Sequence, residues 1–391
     1  MSKLHFTQSQ IKEILTDVAS GPNGTQELLR MSLEAIMRAE RTEHNIENED
    51  MSNGYRFRKT YGKGHILELR VPRSRSGQFY PLILGLLKEE EEECRKLAMS
   101  LYGAGLTTEQ VGDIYGKVYG REYSTSQISR MFNHAREDVK QWLERPLDAY
   151  YALIMIDATY ISTRRVDHVS KEAYYTILGV KADRTREVLA IVNIPTESAA
   201  GWQEVFLSLS KRGVKEIGLC VSDSLTSIEN AIWSQYPDTE VQLCTIHVCR
   251  SVQKYVKPIH KREVADDLKK VFVTGDRYDT PEEGFKRWVE FCVKWGKYYN
   301  SIKNMATNPR SRYYFTYLGY DYRVQNMIYS TNWIERLNRD YKRTTRMRGA
   351  LPSPDATLLL LGYVAMNKKA YDYKIPQLAH ETVKFKWLES R

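Results

Sequence analysis

The feature that most constrains this chain is the run Tyr150–Ile156 (YYALIMI), which is apolar and aromatic throughout and stops at Asp157. A run of strand length with no polar alternation reads as a strand buried on both faces, and such a strand needs neighbours on either side. The following residues supply them. Strand patterns at Ala173–Val180 and Val188–Ile194 flank the turn Asp183-Arg184-Thr185, so the three runs form an antiparallel meander. An amphipathic helix is predicted over Ala199–Lys211, with Trp202, Val205, Phe206 and Leu209 on its inner face and Gly213 ending it. Ile217–Val221 is a further short buried strand, followed by Ser222-Asp223-Ser224, a helix through Ile228, Ala231 and Ile232, and a short strand at Val241–Leu243.

Three strands, helix, strand, helix, strand is the order of an RNase H-like core, a mixed five-stranded sheet with helices. Asp157 and Asp223 each follow a buried apolar run, so both are expected just past strand ends. Neighbouring strand ends would bring the two carboxylates close, where they repel each other and favour a cation between them. Taken singly, either aspartate is equally a turn or capping residue. What distinguishes the pair is that both fall where this fold would put them.

Further along, Ser330-Thr331-Asn332 opens a helix with Glu335 in its first turns, where the helix dipole favours an anion. Arg339, Lys342 and Arg346 lie four, seven and eleven positions beyond Glu335, and Arg343 adds a further charge. One helix face can therefore join a carboxylate to a phosphate-binding stripe, although a solvated charged face is the commoner reason for such a pattern. Residues 246–328 read as a helical insertion, with Phe285, Trp288, Phe291 and Trp295 at helical spacing. The core is thus expected in two pieces, 146–245 and 329–391, interrupted by that all-α insertion.

The first part of the chain has a different texture. Thr107 with Gln110, and Ser124 with Gln127, make two capping boxes, each opening an amphipathic run. With a helix ending near Tyr102, they outline a helix-turn-helix domain over 91–145. The helix from Thr125 would present Ser126, Gln127, Arg130, Asn133 and His134 to a major groove; an ordinary three-helix bundle fits the same periodicity. Residues 1–60 are read as a helical DNA-binding or oligomerisation region and 61–90 as an extended linking segment rich in basic residues. A net charge of +9 points to an anionic partner, nucleic acid or an acidic membrane surface. No stretch reaches the roughly 18 to 20 apolar residues of a spanning helix, and MSKLHFTQSQ lacks a signal-peptide core, so nucleic acid is preferred and no membrane partner is expected. Five irregularly spaced cysteines suit reduced thiols in a cytoplasm.

Several blocks in order resemble the prokaryotic Mutator-type insertion-sequence transposases, relatives of the eukaryotic Mutator-like elements. They are ELRVPRSRSGQFYP near 68–81, RPLDAYYALIMIDATY at 145–160, REVLAIVNI at 186–194, GVKEIGLCVSDSLTSIENAI at 213–232, QLCTIHVCRSV at 242–252 and TNWIERLNRDYKRTTRMRG at 331–349. The resemblance implies that Asp157, Asp223 and Glu335 form a DDE-type catalytic and metal-binding triad. It also singles out Cys244 and His247, whose C-x2-H spacing is similar to a signature of the family and which are assigned a supporting role at the site. Zinc would need a second spaced pair of ligands, and Cys249 and His260 do not make one. The family usually has Gly where this chain has Ser224 and often Asn where it has Ser251; neither position is one of the three acids. The activity so implied is binding of terminal inverted repeats and DNA cleavage and strand transfer with two Mg²⁺ ions, for which Mn²⁺ can substitute. The implied partners are double-stranded DNA, both element ends and target, and further copies of the chain, in a dimer or larger assembly at a prokaryotic nucleoid. A DNA-binding regulator without catalysis, or an RNase H-like nuclease without strand transfer, are the alternatives.

Overall fold

A computed structural model describes residues 7–21, 23–62, 65–119, 123–194, 198–346, 348–368 and 373–378. The chain divides into two compact units, Met1–Ala135 and Arg136–Arg391. No described helix is long and apolar enough to cross a membrane.

The first unit holds α1 (Gln8–Ala19), α2 (Gly24–Glu47), the antiparallel hairpin β1 (Ser52–Gly62) and β2 (His65–Ser74), then α3 (Leu82–Gly103), α4 (Thr108–Tyr119) and α5 (Thr125–Met131). The segment expected to be extended from 61 to 90 is β only to Ser74 and helical from Leu82. Alternation explains the hairpin's packing. Leu67, Leu69 and Val71 point to one face of β2 and bury against Leu33 and Met37 of α2 and Leu84 and Leu87 of α3. Glu34 of α2 is buried with them, and its carboxylate accepts from the Arg70 backbone N–H at 3.0 Å and from the Arg30 guanidinium at 2.8 Å. Both expected capping boxes form. Thr107 and Gln110 exchange side-chain-to-backbone bonds of 3.2 and 2.9 Å, and Ser124 and Gln127 exchange bonds of 3.3 and 2.9 Å. The helix from Thr125 is shorter than its periodicity suggests. It closes at Phe132, which is buried against the Tyr102 ring at 4.6 Å, and a new helix, α6 (Asn133–Glu144), starts there.

In the second unit the sheet comprises β3 (Tyr150–Arg164), β4 (Val169–Lys181), β5 (Arg186–Asn193), β6 (Glu216–Ser222) and β7 (Glu240–Leu243), in the order β5-β4-β3-β6-β7. The first three pair antiparallel, whereas β6 runs parallel to β3 and β7 parallel to β6. Between β5 and β6 lies α7 (Ala199–Lys211), and between β6 and β7 lies α8 (Thr226–Gln235). They cover one face, where Trp202, Phe206, Leu209, Ile228 and Ile232 pack with Ile154 and Ile156 of β3. Each such fully buried side chain contributes roughly 1.5–3 kcal/mol.

A helical stretch follows: α9 (Thr245–Tyr255), α10 (Lys261–Val271), α11 (Pro281–Gly296), α12 (Asn300–Ala306), short 3-10 turns and α13 (Gln325–Ile328). Its aromatics form a core, but not the separate one expected, because Tyr314 packs both on the Phe272 and Trp288 rings and on the sheet's own core. Trp288 stacks on Phe291 at 5.5 Å, Phe272 stacks on Phe315 at 5.4 Å, and Trp295 is buried beside them on α11. Phe285 is only half-buried, under the Arg312 guanidinium. The stretch is fastened to the sheet by Gln242 of β7, which accepts from the Tyr317 N–H at 2.8 Å and donates to the Tyr314 carbonyl at 3.1 Å. The chain then returns to the sheet as α14 (Asn332–Thr345) against β3 and α15 (Pro354–Met366) against β5 and β3.

Candidate active site

Strand register explains why two distant aspartates come together. The parallel pairing of β3 with β6 ends at Met155 opposite Val221. Asp157 and Asp223 each stand two residues beyond that last pair, so both continue the same face of adjacent strands. Ile154 and Ile156 point toward α7 and α8; the alternate residues Leu153, Met155 and Asp157 point to the other side, where α14 packs. The sequence expectation needs one correction. Asp157 does not end its strand, because β3 continues to Arg164 along β4, with Asp157 opposite Thr176. Only β6 stops, so Asp157 is an interior residue of a long strand whose neighbour has run out. Polar residues such as Thr159 and Thr163 hid the continuation, since no unbroken apolar run marks it.

Glu335 arrives on the first turn of α14. Trp333, Ile334, Leu337, Asn338 and Tyr341 form that helix's buried face, and the Arg186 guanidinium of β5 lies over the Trp333 ring at 5.0 Å. The turn before it is tied to the start of α9. Thr245 donates both its N–H, at 3.0 Å, and its hydroxyl, at 2.9 Å, to the Tyr329 carbonyl, and Cys244 Sγ lies 3.7 Å from Thr331 Oγ1. The Cys244 N–H in turn donates to the Ser222 carbonyl at 2.8 Å, one residue before Asp223. Cys244 therefore joins the end of β6 to the start of α14.

Asp157 and Glu335 meet at an open cleft of about 580 Å³, lined also by His247, Arg250, Asn338 and three basic residues, Arg336, Arg339 and Lys342. Asp157 is 9% exposed, and its Oδ2 accepts from Asn338 Nδ2 at 2.9 Å. Burial pushes its carboxyl up to about 6; His247 opposes the shift, while Glu335 and Asp223 add to it by like-charge repulsion. Asp223 does not line the cleft. Its Oδ1 sits 3.5 Å from His247 Nδ1, a charge contact without hydrogen-bond geometry, and accepts from the Ser224 N–H at 2.7 Å. His247 is raised to about 9, first by its hydrogen bond with Cys244 and then by the charges of Asp223 and Asp157, against desolvation. Glu335 Oε1 pairs with Arg250 Nη2 at 3.1 Å. Each of two acids thus has a cationic partner drawing it aside. Among the described residues no three His, Cys, Asp or Glu side chains close around one point tightly enough to hold a metal ion.

The three acids nonetheless sense one another's charge at Asp157, and their oxygen donors suit a hard divalent cation. A carboxyl held up chiefly by burial, with two other acids adding to the shift, is the electrostatic condition that such a cation relieves.

Of the other residues singled out from sequence, Arg343 is exposed on α14 and Arg346 just past its end, both outside the cleft lining. Arg130 is exposed on α5, whereas Asn133 and His134 are exposed at the start of α6 rather than on the helix from Thr125. Gln127 is committed to its own helix: its Oε1 accepts from the Ser124 N–H. Sequence reasoning missed Asn338 and Arg250. Asn338 was within reach, since it lies one turn from Glu335 on the same helix face.

A profile of the Mutator family of transposases matches residues 5–374. The chain is 29% identical over 329 residues to the transposase for insertion sequence element IS905 of Lactococcus lactis subsp. lactis, covering 84% of this chain and 82% of that one. It is 29% identical over 363 residues to the transposase for ISRM3 of Rhizobium meliloti, covering 90% and 89%. With the transposase for IS256 in transposon Tn4001 of Staphylococcus aureus it shares 24% over 377 residues, covering 94% and 96%. Among solved structures, the Drosophila P element transposase strand transfer complex is similar at a TM-score of 0.34 and 12% identity, over 75% of this chain and 94% of that one. Matched by the family profile along nearly its whole length, the chain belongs to the Mutator family of transposases.

Proposed function

We propose that this chain is an insertion-sequence transposase that binds the terminal inverted repeats of its element and then cleaves and joins DNA strands through Asp157, Asp223 and Glu335. What carries the reading is the register: two aspartates placed identically beyond a parallel strand pair, with the Glu335 helix packed across the same face. In this reading the sheet is an RNase H-like core, its order β5-β4-β3-β6-β7 agreeing with that fold, and α9 to α13 are its insertion. The helices α3 to α5 act as a helix-turn-helix module with Arg130 toward DNA, and the active form is a dimer or larger assembly on two element ends.

Asp157, Asp223 and Glu335 would hold two Mg²⁺ ions, or Mn²⁺ in their place, which when bound supply Lewis acidity at the attacking and leaving oxygens of an in-line phosphoryl transfer. The chain's own residues do the rest. Arg336, Arg339 and Lys342 along the cleft hold the phosphates on either side of the scissile bond. Arg343 and Arg346 extend that stripe outward. Cys244 keeps the β6 end and the Glu335 helix in register, and His247 balances the acids' charge while no cation is bound.

The test is cleavage and joining of duplex DNA carrying the element's ends, with and without Mg²⁺. Cleavage followed by joining supports the proposal. Cleavage with no joined product would make the protein a nuclease, and end-binding with no cleavage would make it a regulator.

A further inference from the structure

We propose that Asn338 is a positioning residue of the carboxylate site, fixing Asp157 so that one of its oxygens stays turned to the cation that the three acids share. The inference rests on the carboxylate reading above and adds to it a residue outside the triad.

Asn338 sits one helical turn beyond Glu335 on the buried face of α14, 181 positions along the chain from Asp157. Only 6% of it is exposed, yet it lines the cleft. An ionised carboxylate can only accept hydrogen bonds, so the amide must turn its nitrogen to Asp157, and Nδ2 lies 2.9 Å from Oδ2. That contact, with a backbone hydrogen bond at Ala158, fixes the orientation of the carboxylate at the edge of the cleft. The amide's own Oδ1 is then buried with no hydrogen-bond donor in reach. A buried amide used only to fill space would satisfy both ends or give way to an apolar side chain, because an unpaired buried acceptor is costly. Asn338 instead keeps one end on the acid and the other unpaired beside the cleft. Asp223 and Glu335 lean on cationic partners, His247 and Arg250. Asp157 also feels the His247 charge, but its direct side-chain hydrogen bond comes from a neutral donor, which restrains it without adding a second positive charge.

The experiment compares N338L, close in shape but unable to donate, and N338A with wild type and D157A. Mn²⁺ binding is read by calorimetry, folding by thermal melting, and cleavage and joining on DNA carrying the element's ends. Both Asn338 variants should fold, bind those ends as wild type does, bind Mn²⁺ about tenfold more weakly and need correspondingly more Mn²⁺ for half-maximal cleavage. A folded N338L or N338A with Mn²⁺ affinity and cleavage within about twofold of wild type would overturn the proposal. So would failure of both to fold, which would make Asn338 a structural residue. D157A separates the two claims: if it too retains cleavage, the carboxylate reading itself has failed, whatever Asn338 does.

Discussion

The capping turns of the first unit and the strand ends of the second both concentrate polar side chains, and they use them in opposite ways. Around α4 and α5 the capping residues are spent locally. Thr107 and Gln110, like Ser124 and Gln127, satisfy each other's backbone within three residues, and elsewhere in the unit Glu34 of α2 accepts from a strand N–H and pairs with an arginine. At the sheet's end the polar groups are left in tension. Asp157 is raised chiefly by burial, two other acids add to the shift and His247 opposes it, while Arg250 pairs with Glu335. Polar groups that satisfy one another stabilise a fold; acids held together against their repulsion cost stability, and chains keep such arrangements where chemistry needs them.

The largest effect expected from breaking this contrast is catalytic. D157A or E335A should lower strand cleavage by at least about 10³-fold while binding of the element's ends, read by gel shift, is unchanged. The same substitutions made in a capping box should leave turnover per folded molecule as it was.

The next effect is in stability and has a definite sign. The unfolded chain releases the Asp157 proton near 3.9, whereas the folded protein holds it to about 6. Protonation therefore favours the fold. The contribution is complete below about pH 4 and is lost as pH rises through about 6, a change on the order of 3 kcal/mol. In cation-free protein, urea titrations across that window should show the fall in wild type and a flatter profile in D157N. Added Mg²⁺ should raise the wild-type melting temperature at pH 7.5, and raise that of D157N much less. A wild-type profile as flat as that of D157N would remove the electrostatic half of the comparison.

Smaller effects belong to the satisfied region. S124A removes the Ser124 half of a capping box and should destabilise the first unit by about 1 kcal/mol with no change in Mg²⁺ response. At the cleft, R250A should do least to the fold, roughly 0.5 kcal/mol or less, because the guanidinium end of its pair with Glu335 is largely exposed. Larger losses on denaturant unfolding would show that the Arg250–Glu335 pair is structural and not a stand-in for a cation.

Much of this was legible along the chain. Periodicity placed β3 to β7 and the helices between them, the capping boxes are as their spacing requires, and of Phe285, Trp288, Phe291 and Trp295 all but Phe285 are buried. Where the reading slipped, the reason lies in packing. β3 runs past Asp157 because β4 continues beside it, which no local pattern in Ala158–Arg164 reveals. The helix from Thr125 breaks at Phe132 because that ring is buried against Tyr102, some thirty residues earlier in the chain.

By itself, then, the sequence determined most of the elements and the caps, because those depend on residues a few positions apart, and it nominated the three acids. Only the tertiary structure decided that Asp157 and Asp223 share a line across two strands, that Cys244 ties one strand end to the Glu335 helix, and that Asn338 reaches 181 positions back to Asp157. Those contacts are set by strand register and helix docking, which are minimised over the whole core at once and leave no mark on any single stretch of chain.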